Sequence, residues 1–276
     1  MYFHYQRSYR GPIQAVILDW AGTTVDYGSL APVAAFVRLF AEQEVTISAA
    51  EARGPMGMEK REHIRQLCQT PAIAARWRER HGREPNAVDV DRLYETFVPL
   101  QLAAIRDHAR LIPGCRETVA ALRERGIRIG ANTGYSREMM EPLLLAAAEQ
   151  RYMPDSTVCA TEVPRGRPYP CMSLKNAIEL GVEAVQSCVK VDDTVPGIEE
   201  GLNAGMWTVG IAISGNEIGL TLADWRALPQ LEQGRRRTRA RQRLLGGGAH
   251  YVIDTIADLP SCLDIIEARL ARGERP

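Results

Sequence analysis

The sequence predicts an α/β protein, a doubly wound parallel sheet with a helical domain inserted after its first strand. A short apolar run at residues 13–18 stops at Asp19 and enters a Gly-containing turn, the sign of a buried strand. From residue 31 to about 106 the apolar residues recur only at helical spacing. Beyond Ile112, Pro113 and Gly114 short apolar strands alternate with helices, the rhythm of a parallel sheet.

Each element follows in order. In the insertion, Val33, Phe36, Val37 and Phe40 mark one helix, and helical patterns continue over residues 59–68 and 90–106. A helix to about Arg125 then leads to a strand at 127–132, a helix at 138–149 and a strand near 157–160. A helix around 172–180, a strand at 188–191, a helix at 197–204 and a strand at 207–211 complete the pattern. The expected division is a core of residues 1–26 and 107–276 and a helical cap of residues 27–106. Open parallel sheets bind ligands at the carboxyl ends of their strands, so Asp19, Thr133 and Asp193 are expected at one edge.

Composition limits the classes of function. With 276 residues, 45% hydrophobic and 25% charged, the chain can bury a large core. Lys plus Arg and Asp plus Glu are 34 each, so no global field draws the protein to nucleic acid or an anionic membrane, and an anionic ligand must be held locally. Cysteines 68, 115, 159, 171, 188 and 262 form no CxxC pair or zinc spacing, which predicts packed, reduced thiols. The start, MYFHYQRSYRGP, lacks the apolar stretch of a signal peptide, and no run of about 18 apolar residues occurs. A soluble cytoplasmic protein is the expectation. The basic run of Arg235, Arg236, Arg237, Arg239, Arg241 and Arg243 has no aromatic or base-reading neighbours and reads as a solvated helix face or loop.

Several polar clusters interrupt this frame. Asp19 follows a buried strand beside Gly22, Thr23 and Thr24; such a carboxylate is costly unless its charge is used, although capping the turn is the plain alternative. Asn132, Thr133 and Gly134 end another strand, where a hydroxyl and backbone amides can donate to phosphate oxygens. Arg167, between Gly166 and Pro168, is a guanidinium suited to clamping phosphate. Asp192 and Asp193 place like charges side by side, an arrangement that a hard cation such as magnesium relieves.

In this order the four clusters resemble the motifs of the haloacid dehalogenase superfamily. The resemblance implies that Asp19 is a nucleophile forming an aspartyl phosphate. It also implies that Asp193, the Asp19 carboxylate and the Ala21 carbonyl hold Mg2+, with Asp192 supporting the metal, and that Thr133, Gly134 and Arg167 bind the phosphoryl group. Arg167 stands where most members carry lysine. Phosphatases of the superfamily place an acid two residues after the nucleophile, and Ala21 cannot protonate a leaving alkoxide, so the leaving group must be activated in another way.

The insertion offers such a way. Met56, Lys60 and His63 are spaced by four and three residues and share a helix face. A lysine beside a methionine and a histidine can lose solvation, keep a free amine and condense with an aldehyde; the resulting iminium is an electron sink. The segments from Asp19 to Asp26 and from Met56 to His63, with Thr133-Gly134-Tyr135 and Gly166 to Pro170, resemble the phosphonoacetaldehyde hydrolase family over residues 13–220. The family resemblance implies that Lys60 forms a Schiff base, that His63 aids proton transfer and that Met56 shapes the wall around the amine. It implies a small phosphonate substrate, cleaved at carbon-phosphorus to acetaldehyde and phosphate in 2-aminoethylphosphonate breakdown, and a homodimer joined through the caps. Gly197 departs from relatives that carry another aspartate there, which leaves the metal shell more open than the nucleophile. The rival readings are a phosphomonoesterase or phosphomutase on the same fold, and a silent phosphate-binding protein.

Overall fold

A computed structural model describes residues 8–276. The first seven residues, part of the N-terminal stretch discussed above, lie outside the described residues. The sheet contains β1 (Ala15–Leu18), β2 (Arg128–Thr133), β3 (Ser156–Cys159), β4 (Cys188–Asp192), β5 (Trp207–Ile211) and β6 (Tyr251–Ile253). All pairs are parallel and the order is β3-β2-β1-β4-β5-β6. The chain therefore winds outward from β1 through β2 to β3, then returns to the other side of β1 with β4. The crevice between the carboxyl ends of β1 and β4 is the switch point where such sheets bind ligands.

Between β1 and β2 lie α1 (Leu30–Ala41), α2 (Ala49–Arg53), α3 (Lys60–Gln69), α4 (Pro71–His81) and α5 (Ala87–His108). They bury an aromatic centre of their own: Phe36 stacks on Phe97 at 4.4 Å between ring centroids, and Trp77 is fully buried. Burying each such ring contributes roughly 1.5–3 kcal/mol. Local capping sets the helix starts. Ser48 and Glu51 form a capping box on α2, Asn86 and Asp89 one on α5, and Pro71 opens α4. Asp26 accepts from the amides of Leu30 and Ala31 at 3.0 and 2.9 Å, so this acidic residue caps α1 and does not reach the chemistry. The two crossings to the sheet run side by side, with Asp26 N donating to Arg110 O (3.2 Å) and Ile112 N to Thr24 O (2.8 Å).

The remaining helices flank the sheet: α6 (Cys115–Glu124), α7 (Arg137–Glu149), α8 (Cys171–Glu179), α9 (Val195–Asn203), α10 (Leu222–Ala227), α11 (Gln230–Gly246) and α12 (Leu259–Ala271). Helices α2, α4, α10 and α12 and strand β6 were not expected from the pattern. The reason is length for α2, α10 and β6, and for α4 an apolar face of only Ile73 and Trp77; α12 buries Leu259, Cys262, Leu263, Ile266 and Leu270 at regular helical spacing, a pattern that is legible in the sequence. The basic run is an exposed helix face of α11, with Arg237 and Arg241 paired to Asp254, Arg236 to Glu232 and Arg243 to Glu217. All six cysteines are free, and five of them are buried. No helix among the described residues is long and apolar enough to cross a membrane.

Candidate active site

The turn after β1 is built to bring backbone close to carboxylates. Gly22 has φ +92°, and a Cβ there would lie 2.2 Å from an oxygen of Asp193, so only glycine fits. Thr24 Oγ1 donates to the carbonyls of Asp19 and Trp20, closing the turn with Asp19 held at the strand end. Arg167 donates from NH2 to Asp19 Oδ1 at 2.7 Å and to Asn132 Oδ1 at 2.7 Å, and from Nε to Glu200 Oε2 at 2.8 Å. All of these groups are buried. Burial, and then the neighbouring Asp192 charge, push the Asp19 carboxyl up to about 6 against the pull of Arg167. Burial disfavours the Arg167 cation, but Asp192, Asp19 and Glu200 outweigh it and keep the guanidinium charged.

Asp193 accepts from Asn216 N at 2.7 Å and from Thr23 Oγ1 at 3.4 Å. Burial and the charges of Asp19 and Asp192 raise its carboxyl well above the ordinary range. Ligand oxygens of Asp19, Asp192 and Asp193 lie within 4.8 Å of one another. Asp192 Oδ2 makes no aligned hydrogen bond but lies 3.0 Å from Lys190 Nζ and 3.3 Å from Arg167 NH2. Hard oxygen donors and the mutual repulsion of three buried carboxylates fit a metal ion.

Lys60, the first residue of α3, is 4% exposed. Its Nζ lies 5.0 Å from the Tyr135 ring centroid and 5.6 Å from that of Phe36. Burial lowers its ammonium to about 8, against the opposing charge of Asp19. One cavity is lined by Asp19, Ala21, Met56, Gly57, Lys60, Thr133, Gly134, Tyr135, Arg167 and Thr194. The structure thus gathers residues of the turn, the insertion, the β2 end and the 160–170 loop. Gly134 lets the insertion come this close, because a Cβ there would lie 2.4 Å from Met58 O.

His63 takes a different place. It is fully buried behind Lys60, with its ring 3.9 Å from that of Phe36, and is not among the cavity's lining residues. Its Nε2 lies 2.9 Å from the Ala52 carbonyl, which can only accept, so the proton sits on Nε2 and Nδ1 is a bare acceptor without a hydrogen bond. Burial and then the Lys60 charge push its pKa well below the ordinary value, which keeps the ring neutral.

Sequence reasoning assigned no role to several residues here. Lys190 is fully buried in β4, with Nζ 2.7 Å from Asn132 Oδ1 and 3.0 Å from Asp192 Oδ2. A lysine inside an apolar strand, two residues from Asp192 and so on the same face, was the available signal. Glu200 of α9 accepts from Arg167, Asn132 and Ser173, and nothing in the helical pattern marks it. Tyr135 supplies a ring to the lysine and accepts from Gln101 at 3.2 Å.

Residues 13–205 match the model of the haloacid dehalogenase-like hydrolases. A phosphonoacetaldehyde hydrolase of Hahella chejuensis is 57% identical over 276 residues, covering 100% of this chain and 94% of that protein. One of Pseudomonas fluorescens is 50% identical over 270 residues, 97% of this chain and 98% of that protein. The chain belongs to the phosphonoacetaldehyde hydrolase family. A phosphonoacetaldehyde hydrolase-like protein from Oleispira antarctica, known as a crystal structure, superposes with a TM-score of 0.98 at 52% identity and full coverage of both chains. Lys60, Asp19 and Ala21 line one cavity of this fold.

Proposed function

We propose that this enzyme hydrolyses phosphonoacetaldehyde to acetaldehyde and phosphate through a Schiff base on Lys60 and a phosphoryl group carried on Asp19. The observation that carries the reading is the buried Lys60 amine, lowered to about 8 and opening into the cavity that contains Asp19 and Arg167. A phosphatase has no use for such an amine, whereas a carbon-phosphorus bond beside an aldehyde needs one.

The Lys60 amine adds to the aldehyde and loses water, giving an imine that is protonated. Asp19 attacks phosphorus while Arg167 and the Thr133-Gly134 segment hold the phosphonate oxygens. The carbon-phosphorus electron pair moves into the iminium and forms an enamine. The enamine takes a proton at carbon, and water then releases acetaldehyde and the free amine. A second water hydrolyses the aspartyl phosphate. Asp19, Asp193 and the Ala21 carbonyl would hold Mg2+, which would supply positive charge to reduce repulsion between carboxylate and phosphonate. For His63 the family resemblance implies a part in proton transfer; its ring is neutral with Nδ1 unpartnered, but it is fully buried and lines no part of the cavity, so it does not touch substrate. Met56, 4% exposed, keeps water from the amine.

The same reading takes residues 27–106 as the cap over a core of 1–26 and 107–276, a homodimer through the caps and a cytoplasmic location. Borohydride trapping with substrate and Mg2+, followed by peptide mass mapping, tests it with Lys60→Ala as control. A reduced adduct on Lys60 is expected, with acetaldehyde and phosphate released when borohydride is omitted. Absence of both adduct and acetaldehyde overturns the reading.

A further inference from the structure

The arginine-rich stretch of α11 is not uniform around the helix. Glu232, Arg236, Arg239 and Arg243 follow one another at four, three and four residues and so form a single stripe. Together with Arg53 of α2 and the loop at residues 216–218, this stripe lines a cavity of about 470 Å3. The other three arginines of the run, Arg235, Arg237 and Arg241, do not line it, and two of them turn to Asp254 instead.

Charge in this cavity is not balanced from within. Its walls carry four guanidinium groups and two carboxylates, in a chain whose basic and acidic residues are equal in number. Both carboxylates are already engaged, Glu232 by Arg236 at 2.7 Å and Glu217 by Arg243 at 2.9 Å. Arg239 has no carboxylate at ion-pair distance among the described residues. It stands three and four residues from Arg236 and Arg243, spacings at which like charges on a helix repel. Arg53 meets only neutral oxygens: NH1 donates to Gly28 O and to Asn216 Oδ1, each at 3.0 Å, and NH2 donates to Gly219 O at 3.3 Å. These bonds fix the guanidinium in place. Its Nε hydrogen and one NH2 hydrogen meet no acceptor among the described residues.

We propose that this cavity is a second ligand site, for a small polyanion with two or more carboxylate or phosphate groups, held by Arg53, Arg236, Arg239 and Arg243. Guanidinium groups match the oxygens of both kinds of anion, and the volume is that of a small-molecule site. No aromatic ring lines the cavity, so nothing there stacks on a nucleobase, and the apolar wall is limited to Ala50 and Ile218. Arg53 belongs to the insertion and the other three arginines to the sheet domain, so the bound anion contacts both. The site shares no lining residue with the cavity of Asp19 and Lys60, and it requires neither a Schiff base nor an aspartyl phosphate.

Calorimetry on the full-length enzyme without Mg2+ tests this, with citrate and pyrophosphate as probes and acetate as a monoanion for comparison. One molecule of citrate or pyrophosphate per chain is expected, with a Kd of about 1 mM or lower and acetate at least about tenfold weaker. Whichever probe binds more tightly tells carboxylate from phosphate as the chemistry the site prefers. Arg239→Gln and Arg53→Lys should each weaken binding about tenfold, the scale of one lost charge-assisted contact. Arg235→Gln removes the same charge from the same helix outside the cavity and should change affinity by less than about twofold. Thr133→Val, in the cavity of Asp19, should likewise leave it unchanged. Arg239 is exposed, so its variant keeps the test decisive if Arg53→Lys fails to fold. No binding of either probe at about 10 mM overturns the proposal. So does a loss in Arg235→Gln as large as in Arg239→Gln, which would mean a diffuse field, or a loss in Thr133→Val, which would place the probe beside Asp19.

Discussion

Replacing Lys60 by Met should make the protein more stable while abolishing turnover. Lys60 is 4% exposed, and its pKa falls from the ordinary 10.5 to about 8, chiefly through burial. Each unit corresponds to about 1.4 kcal/mol, so holding the ammonium in the fold costs about 3 kcal/mol at neutral pH. The folded value lies below the unfolded one. The penalty is therefore complete below about pH 8, declines as the folded amine loses its proton, and vanishes above the unfolded value. Methionine fills a similar volume without charge. Urea unfolding followed by tryptophan fluorescence should show Lys60→Met more stable by about 3 kcal/mol at pH 7 and by only about 1 kcal/mol at pH 9.5. At neutral pH this amounts to a rise in Tm of several degrees, on the order of 5–10 °C. A variant no more stable than the wild type at pH 7, or a gain that does not shrink with pH, would refute the view that Lys60 is a desolvated amine held for chemistry.

Other consequences follow from the same geometry. The rate of adduct formation on Lys60 should rise about tenfold per pH unit below its folded value of about 8 and level off above it, because only the free amine adds to the aldehyde; a rate flat from pH 6 to 8 contradicts this. Tyr135→Leu removes the ring 5.0 Å from Nζ, whose attraction for the cation is about 0.5–2 kcal/mol, so the midpoint of that profile should fall by roughly 0.4–1.5 units. A midpoint that rises would mean that water entering the vacated space matters more. Asp19→Asn should reduce acetaldehyde release by roughly a thousandfold or more while the borohydride adduct on Lys60 still forms; comparable turnover would exclude Asp19 as nucleophile. Gly134→Ala sets a methyl 2.4 Å from Met58 O, and should lower kcat/KM about tenfold by pushing the lysine-bearing segment outward. Unchanged kinetics would show that the insertion need not approach β2 this closely.

The sequence by itself determined the parallel core and the identity of the chemical groups. Strands such as β1 and β5 are short apolar runs, and a run buried on both faces is legible without knowing its neighbours. Asp19, Arg167 and the 192–193 pair stood out because charge beside buried strands is costly, and Lys60 because its spacing predicted a helix face shared with Met56 and His63; in the structure α3 begins only at Lys60, so Met56 reaches the cavity from the turn before the helix and not from its face. Local pattern was weaker for α4, with two buried apolar residues, and for the three-residue β6, whose places are set by packing; α12, with Leu259, Leu263, Ile266 and Leu270 on one face, carries its period in the sequence. Only the tertiary structure decided what each charge meets. It put His63 behind Lys60 with its proton on Nε2, turned Asp26 into a helix cap, and drew Lys190 and Glu200 into the charge network around Arg167 and Asp192. It also set the Asp192 carboxylate in the space that Gly197 leaves free. Helix and strand periods fix which face a residue occupies, but a pKa or an ion pair depends on distances across the sheet, and those exist only when the chain is folded.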